Sequence, residues 1–183
     1  MTASLDLDLS SSEREAIEEM KRRVSKDLPR KVYDEAALYY RFLKARDFDV
    51  DAAETMLRNT LQWRKDNNID KILTDYKRPE ALAKYLDKLL LGYDKEGCPY
   101  FYIAVGKYDV RGIHMAAKYP DIEKAIVHVV EEGEKLLDKQ SKKLGKTLIG
   151  FINIIDVDGL TFGNATYKKG IETVIRLLKL AAR

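Results

Sequence analysis

The sequence is poor in the residues that do chemistry. Its 183 residues include one cysteine, Cys98, and two histidines. A single thiol excludes an intramolecular disulfide and any zinc site built on paired cysteines. It also leads to the expectation of a reducing, cytoplasmic setting. His114 and His128 stand too far apart for a local metal pair, and neither sits in an HExxH pattern. Both are expected to be structural. Charge of one sign is scarce too. The 33 Lys and Arg against 30 Asp and Glu leave a formal net charge of +3, which gives no reason to expect a nucleic-acid partner. No run approaches the ~18 apolar residues of a membrane span, so any membrane contact is expected to be peripheral. The opening MTASLDLDLSSSE carries Asp6 and Asp8 where a secretory leader needs positive charge, and no apolar segment follows.

What the chain does have is a core and a change of pattern. It is 45% hydrophobic and 34% charged, the balance of a globular protein. Residues 1–75 read as helices. Ser10, Ser11 and Ser12 offer N-caps for a helix with Ile17, Met20 and Val24 at helical spacing. Asp34 can cap a second, with Leu38, Phe42 and Ala45 on one face. Asp49 or Asp51 can cap a third, carrying Ala53, Met56, Leu57 and Leu61. Residues 76–183 read as α/β. Pro79 opens a short helix, and two strands follow around a turn at Asp94, Glu96 and Gly97. Tyr100–Val105 is apolar throughout, as in a strand buried on both faces. A long helix from about Asp121 ends at Gly145, a third strand covers Leu148–Ile155, and a helix follows from about Asn164. Three strands are few for such a sheet. The last helix, with Val174, Ile175, Leu177, Leu178 and Leu180, is apolar around most of its girth and calls for burial. The domain is therefore expected to be incomplete at its C-terminal end.

Several motifs invite a chemical reading. The strand ending in Asp156-Val157-Asp158-Gly159 resembles the first motif of aspartate-nucleophile, magnesium-dependent phosphatases. No later acidic pair completes that set, and aspartates that end a strand or cap the next helix are the simpler reading. Leu144-Gly145-Lys146-Thr147 fails as a phosphate-binding loop, because Gln140 stands where the first glycine belongs and a helix precedes it. Lys139, Lys142, Lys143 and Lys146 suit an anionic lipid surface, but cations at a helix C-terminus need no further function. Arg41, Lys44 and Arg46 cannot all share one helical face; pairing with Asp34 or Glu35 is the ordinary alternative. Tyr39, Tyr40, Tyr100 and Tyr102 join apolar bodies to polar tips, with core packing as the default.

Three segments together carry a resemblance. RFLKARDFDVDAAETMLRNTLQWRK, Arg41–Lys65, looks like the helical N-terminal segment of the CRAL-TRIO lipid-binding family. LLGYDKEGCPYFYIAVGKYDVRG, Leu90–Gly112, resembles that family's first strand pair, and Gly92–Pro99 carries a narrower likeness to its cytosolic, phosphatidylinositol-transfer-like branch. FINIIDVDGLTF, Phe151–Phe162, is similar to a floor strand of its pocket. The resemblance implies a helical bundle packed on an α/β lipid-binding fold, and non-enzymatic binding and transfer of a phospholipid or a tocopherol- or squalene-like molecule, with no cofactor. Asp156 and Asp158 then close the strand without catalysing anything. Arg46 matches a family arginine implicated in phosphoinositide headgroup binding, whose partners would lie beyond Arg183. Phe151 and Asn153 match floor positions where phosphatidylcholine-binding relatives carry small hydroxyl residues, so the bulk of Phe151 argues against phosphatidylcholine. Alternation sets Phe151, Asn153 and Ile155 on one strand face, and Tyr100 and Tyr102 on a shared pocket face. The implied partners are a lipophilic molecule, a transient membrane surface, and a protein contacting the exposed C-terminal helix.

Overall fold

The computed structural model describes residues 9–25, 28, 36–86 and 88–181. They fall into two units. One comprises residues up to Asn68 together with Lys139–Ile149; the other comprises Ile69–Asp138 with Gly150–Ala182.

The first unit is helical, and its helices begin where polar side chains satisfy orphan backbone donors. In α1 (Ser11–Val24) the Ser10 hydroxyl accepts from the Glu13 N–H while the Glu13 carboxylate accepts from the Ser10 N–H at 2.8 Å, a capping box. In α3 (Val50–Asp66) the Asp49 carboxylate accepts from the Ala52 N–H at 3.0 Å. Between α2 (Ala36–Lys44) and α3, Asp47 and Phe48 take positive φ of 50° and 63°. That conformation is costly for a side-chain-bearing residue. The Phe48 ring offsets the cost by packing edge-on against Tyr40, centroids 6.0 Å apart. Ile17, Met20 and Val24 are buried with Ala53 and Leu57, as their spacing predicts. On α2, however, the buried residues are Tyr39, Tyr40 and Leu43; Leu38 and Phe42 are only partly covered, and Ala45 is exposed. The two tyrosine rings present more apolar area than Leu38 and Ala45, so they take the inner face. The expected cap Asp34 and partner Glu35 lie outside the described residues.

The second unit carries the sheet. After a 3-10 turn (Ile69–Lys71), α4 (Ile72–Asp75) and α5 (Glu80–Tyr85), strands β1 (Leu89–Tyr93) and β2 (Pro99–Ile103) form an antiparallel pair with a bulge between Leu90 and Gly92. The turn is built as the sequence predicts. The Asp94 carboxylate accepts from the N–H groups of Glu96 and Cys98, at 2.9 and 2.8 Å, and Gly97 takes φ 90°. A second 3-10 turn (Val105–Lys107) leads to α6 (Val110–Ala116) and α7 (Tyr119–Leu144). The last of these starts two residues earlier than its apolar spacing suggests, because Pro120 is tolerated in a first turn. Leu82, Ile113, Ile122 and Ala125 form the core beneath α5, α6 and α7. Strand β3 (Ile152–Ile155) then runs parallel to β2, completing the order β1-β2-β3. Two helices, α8 (Phe162–Ala165) and α9 (Lys168–Ala181), follow.

Two expectations are corrected here. The third strand is shorter than Leu148–Ile155, because Leu148 and Ile149 belong to the first unit; the Leu148 N–H donates to the Ser141 hydroxyl, and Ile149 packs on the helical core. Nor are the strands buried on both faces. Phe101 is 4% exposed, but Tyr100 and Tyr102 are half-covered and all four residues of β3 are exposed. Face exposure depends on what packs over each face, and little of the second unit packs over β3.

Candidate functional site

Register decides which predicted residues meet. Residues paired across a parallel ladder point to the same side, and neighbours along a strand to opposite sides. Tyr100 pairs with Ile152 and Tyr102 with Ile154, while Phe101 pairs with Asn153 and Ile103 with Ile155. The sheet therefore has two distinct faces. One carries Phe101, Ile103, Phe151, Asn153 and Ile155. The other carries Leu89, Tyr100, Tyr102, Ile152 and Ile154. The structure brings Phe151, Asn153 and Ile155 together, and separately Tyr100 and Tyr102; it sets the two groups back to back. Arg46 belongs to the first unit, where its guanidinium donates to the Ala45 carbonyl at 2.9 Å.

The Phe101 face lies against α7. Phe101 and Phe151 meet edge to face, centroids 5.6 Å apart and planes at 90°. A Cβ built on Gly133 of α7 would stand 3.4 Å from the Phe151 ring and 2.7 Å from the Lys88 ammonium. That ammonium lies 3.9 Å from the centre of the Phe101 ring and 4.4 Å from that of Phe151. Beyond this corner the face is open: Asn153 is exposed and Ile155 is 60% exposed. An apolar floor, one helical wall, an amide and an ammonium make a surface suited to an amphiphile. Sequence reasoning missed Lys88. The available signal was its place one residue before β1, on the alternation that puts Leu90 beside Phe101.

The opposite face is apolar apart from the Tyr100 and Tyr102 hydroxyls and Asp156. Leu89 is 61% exposed, and Ile152 and Ile154 are open beside it. Here the Tyr102 hydroxyl donates to the Asp156 carboxylate, whose other oxygen accepts from the Asp158 N–H at 2.8 Å. The bond from Tyr102, then that from Asp158, holds the Asp156 carboxyl below its ordinary range. The same bond raises the Tyr102 phenol above its own. The backbone adds to the lock: the Gly106 N–H donates to the Asp156 carbonyl at 3.0 Å, and a Cβ on Gly106 would fall 2.2 Å from the Asp158 carbonyl oxygen. Asp156 is thus a joint between β2 and β3. A nucleophile needs a carboxylate oxygen directed at substrate, and both of Asp156's are engaged. Among the described residues no three His, Cys, Asp or Glu side chains cluster as a metal site.

Both histidines have packing partners. His114 Nδ1 lies 2.7 Å from the Val110 carbonyl and Nε2 lies 2.9 Å from the hydroxyl of buried Thr173, tying α6 to α9. A carbonyl only accepts, so Nδ1 carries a proton, and Nε2 shares a hydrogen bond with the Thr173 hydroxyl. His128 stacks edge-on with Tyr76 and faces Glu132, which also pairs with Arg78 at 3.3 Å. Burial raises the Tyr76 phenol, with Asp121 adding to it.

Comparison with known proteins gives this architecture its class. The fold matches a crystal structure of Sfh5 with a TM-score of 0.66 at 18% identity, over 95% of this chain and 67% of that one. Residues 83–183 match the CRAL/TRIO domain, and residues 9–59 the CRAL/TRIO N-terminal domain. The chain belongs to the CRAL-TRIO family of lipid-binding and transfer proteins, which are generally not enzymes. Similar curated proteins are Protein real-time of Anopheles gambiae, 34% identical over 76% of this chain, and a CRAL-TRIO domain-containing protein of Caenorhabditis elegans, 29% identical over the same share. The chain spans about a fifth of the length of these relatives, 20% and 19%. Among the described residues no helix is long and apolar enough to cross a membrane.

Proposed function

We propose that the chain binds one lipophilic molecule, a phospholipid such as phosphatidylinositol or a tocopherol- or squalene-like lipid, and moves or presents it at cytoplasmic membrane surfaces without catalysis. The observation that carries the reading is the open apolar sheet face beside α7, with Phe151 at its corner and Asn153 and Ile155 exposed on it. A ligand on that face meets Phe151, Asn153 and Ile155. Tyr100 and Tyr102 face away from it and line the pocket only if the ligand lies on the other side. Arg46, within the matched N-terminal segment, is the proposed headgroup cation.

Native mass spectrometry of the purified protein, with solvent extraction of bound lipid, tests the reading. A stoichiometric lipid is expected; a lipid-free monomer counts against it. The two faces are told apart by substitution. Asn153→Leu is expected to change which lipids co-purify, and Tyr102→Phe is not; the reverse result moves the ligand to the Tyr102 face.

A second reading rests on α9. Ile171, Val174 and Ile175 recur at helical spacing and are open to solvent, Val174 by 55%. This stripe is the proposed contact for a protein partner.

A further inference from the structure

Phenylalanine is among the residues most often buried, yet Phe162 is 85% exposed. Hydrogen bonds fix the turn that presents it. The Thr161 hydroxyl accepts from the Asn164 N–H at 3.2 Å, and the Thr166 hydroxyl donates to the Phe162 carbonyl at 2.8 Å. The Asn164 amide donates to the Tyr108 carbonyl at 3.3 Å, which pins the single turn of α8 to the segment before α6. Arg111 of α6 lies close by: its guanidinium would stand 3.9 Å from a Cβ built on Gly163. Met115, one turn beyond Arg111, is 86% exposed. Two large apolar side chains therefore project from neighbouring elements of one corner of the second unit.

The charges on these elements are mostly cations. Arg111, Lys118, Lys168, Lys169 and Arg176 are all exposed. Two of them are held over rings, Arg111 at 5.4 Å from the centre of Tyr167 and Arg176 at 4.6 Å from that of Tyr119. The acidic side chains nearby in the chain are Asp158, Glu172 and Asp109, whose carboxylate accepts from the Gly112 N–H at 2.9 Å. The His114–Thr173 contact joins α6 to α9, so the cations of both helices belong to one packed corner.

We infer that this corner of α6, α8 and α9 docks on an anionic bilayer, with Phe162 and Met115 entering the acyl boundary and the cations of α6 and α9 meeting lipid phosphates. The inference rests on the lipid-carrier reading above, since a carrier has to meet a membrane. It assigns the contact neither to the sheet floor nor to the lysine run at the end of α7, where no described apolar residue is exposed to this degree. Interfacial binding grows with apolar area inserted and with attraction to anionic lipid. One inserted phenylalanine is worth about tenfold to a hundredfold in partitioning. Each cation beside an anionic surface adds about fivefold.

The test is co-sedimentation of the full chain with phosphatidylcholine vesicles, with and without phosphatidylserine. Wild type is expected to bind the anionic vesicles and to leave them as salt rises. Phe162→Asp is expected to weaken that binding about tenfold or more, while its circular dichroism stays that of wild type. Arg111→Gln with Lys168→Gln is expected to weaken it by a similar factor, and Lys139→Gln with Lys143→Gln to leave it unchanged. Phe162→Trp, read as the difference from a wild type whose one tryptophan is Trp63, is expected to be quenched by brominated acyl chains, which adhesion by charge alone would not produce. Unchanged binding in Phe162→Asp, equal binding to neutral and anionic vesicles, or loss in the α7 pair instead overturns the inference. So does a wild type that binds no vesicle, even where lipid co-purifies with it. A wild type that carries no lipid but needs Phe162 for vesicle binding overturns the ligand reading and supports the docking corner.

Discussion

The exchange between Tyr102 and Asp156 shows how much one hydrogen bond organises at the scale of a residue. It ties the middle of β2 to the end of β3 and shifts both partners' titrations in opposite directions. Asp156 titrates below its ordinary 3.8 in the folded chain, so its contribution to stability is complete above that value and is lost as pH falls through the lower folded one. Tyr102 titrates above its ordinary 10.0, so its contribution is complete below that value and is lost as pH rises through the higher folded one. Urea midpoints of wild type and Tyr102→Phe are therefore expected to differ most across the broad middle of the pH range and to converge at both extremes. A difference that does not vary with pH would mean the ring matters and the bond does not. Gly106 lies at the same joint. A Cβ 2.2 Å from a backbone oxygen cannot be relieved by rotating a side chain. Gly106→Ala is expected to destabilise by about 1–3 kcal/mol in denaturant titration, the usual cost of overpacking.

At the scale of elements, capping and exposure act separately. The box at the start of α1 satisfies two orphan donors on an exposed turn, so Ser10→Ala is expected to cost about 1 kcal/mol, read as a lower thermal midpoint, with binding unaffected. Helix α9 is held on one side by the His114–Thr173 contact and left open on the other. Val174→Lys should consequently fold normally and weaken any association made through the open stripe. Sedimentation with and without the substitution checks it: if wild type self-associates and the variant does not, the stripe is the contact. The caps and the amphipathic spacing of α1 and α3 were legible in the sequence because both depend on residues three or four positions apart. The inner face of α2 was not, because Leu38 and Phe42 compete with Tyr39 and Tyr40 for burial and only the packed neighbours decide between them.

At the scale of the whole molecule, ligand binding is linked to stability. A lipid that binds only the folded chain raises its midpoint by mass action, by about 2.7 kcal/mol at a hundredfold excess over the dissociation constant. Stripping the protein with solvent or detergent is expected to lower its thermal midpoint, and restoring phosphatidylinositol from vesicles to raise it again. No response to any lipid would argue that the open face is a protein-contact surface.

The sequence alone determined the helical first segment, the hairpin with its Asp94 and Gly97 turn, three strands in α/β order, and membership of a lipid-binding family. These rest on local periodicity, turn chemistry and three motifs in register. Only the tertiary structure decided which candidate residues share a surface. Alternation along one strand says that Phe151 and Asn153 agree, and along another that Tyr100 and Tyr102 agree. The relation between the strands is a register, and a shift of one residue exchanges the faces. The pairing of Phe101 with Asn153 put the tyrosines on the far side, and that of Leu90 with Phe101 put Lys88 on the side of the phenylalanines. The alternation with Leu90 marks which face Lys88 belongs to; its position beside two rings follows from strands and a helix that meet only in the folded chain.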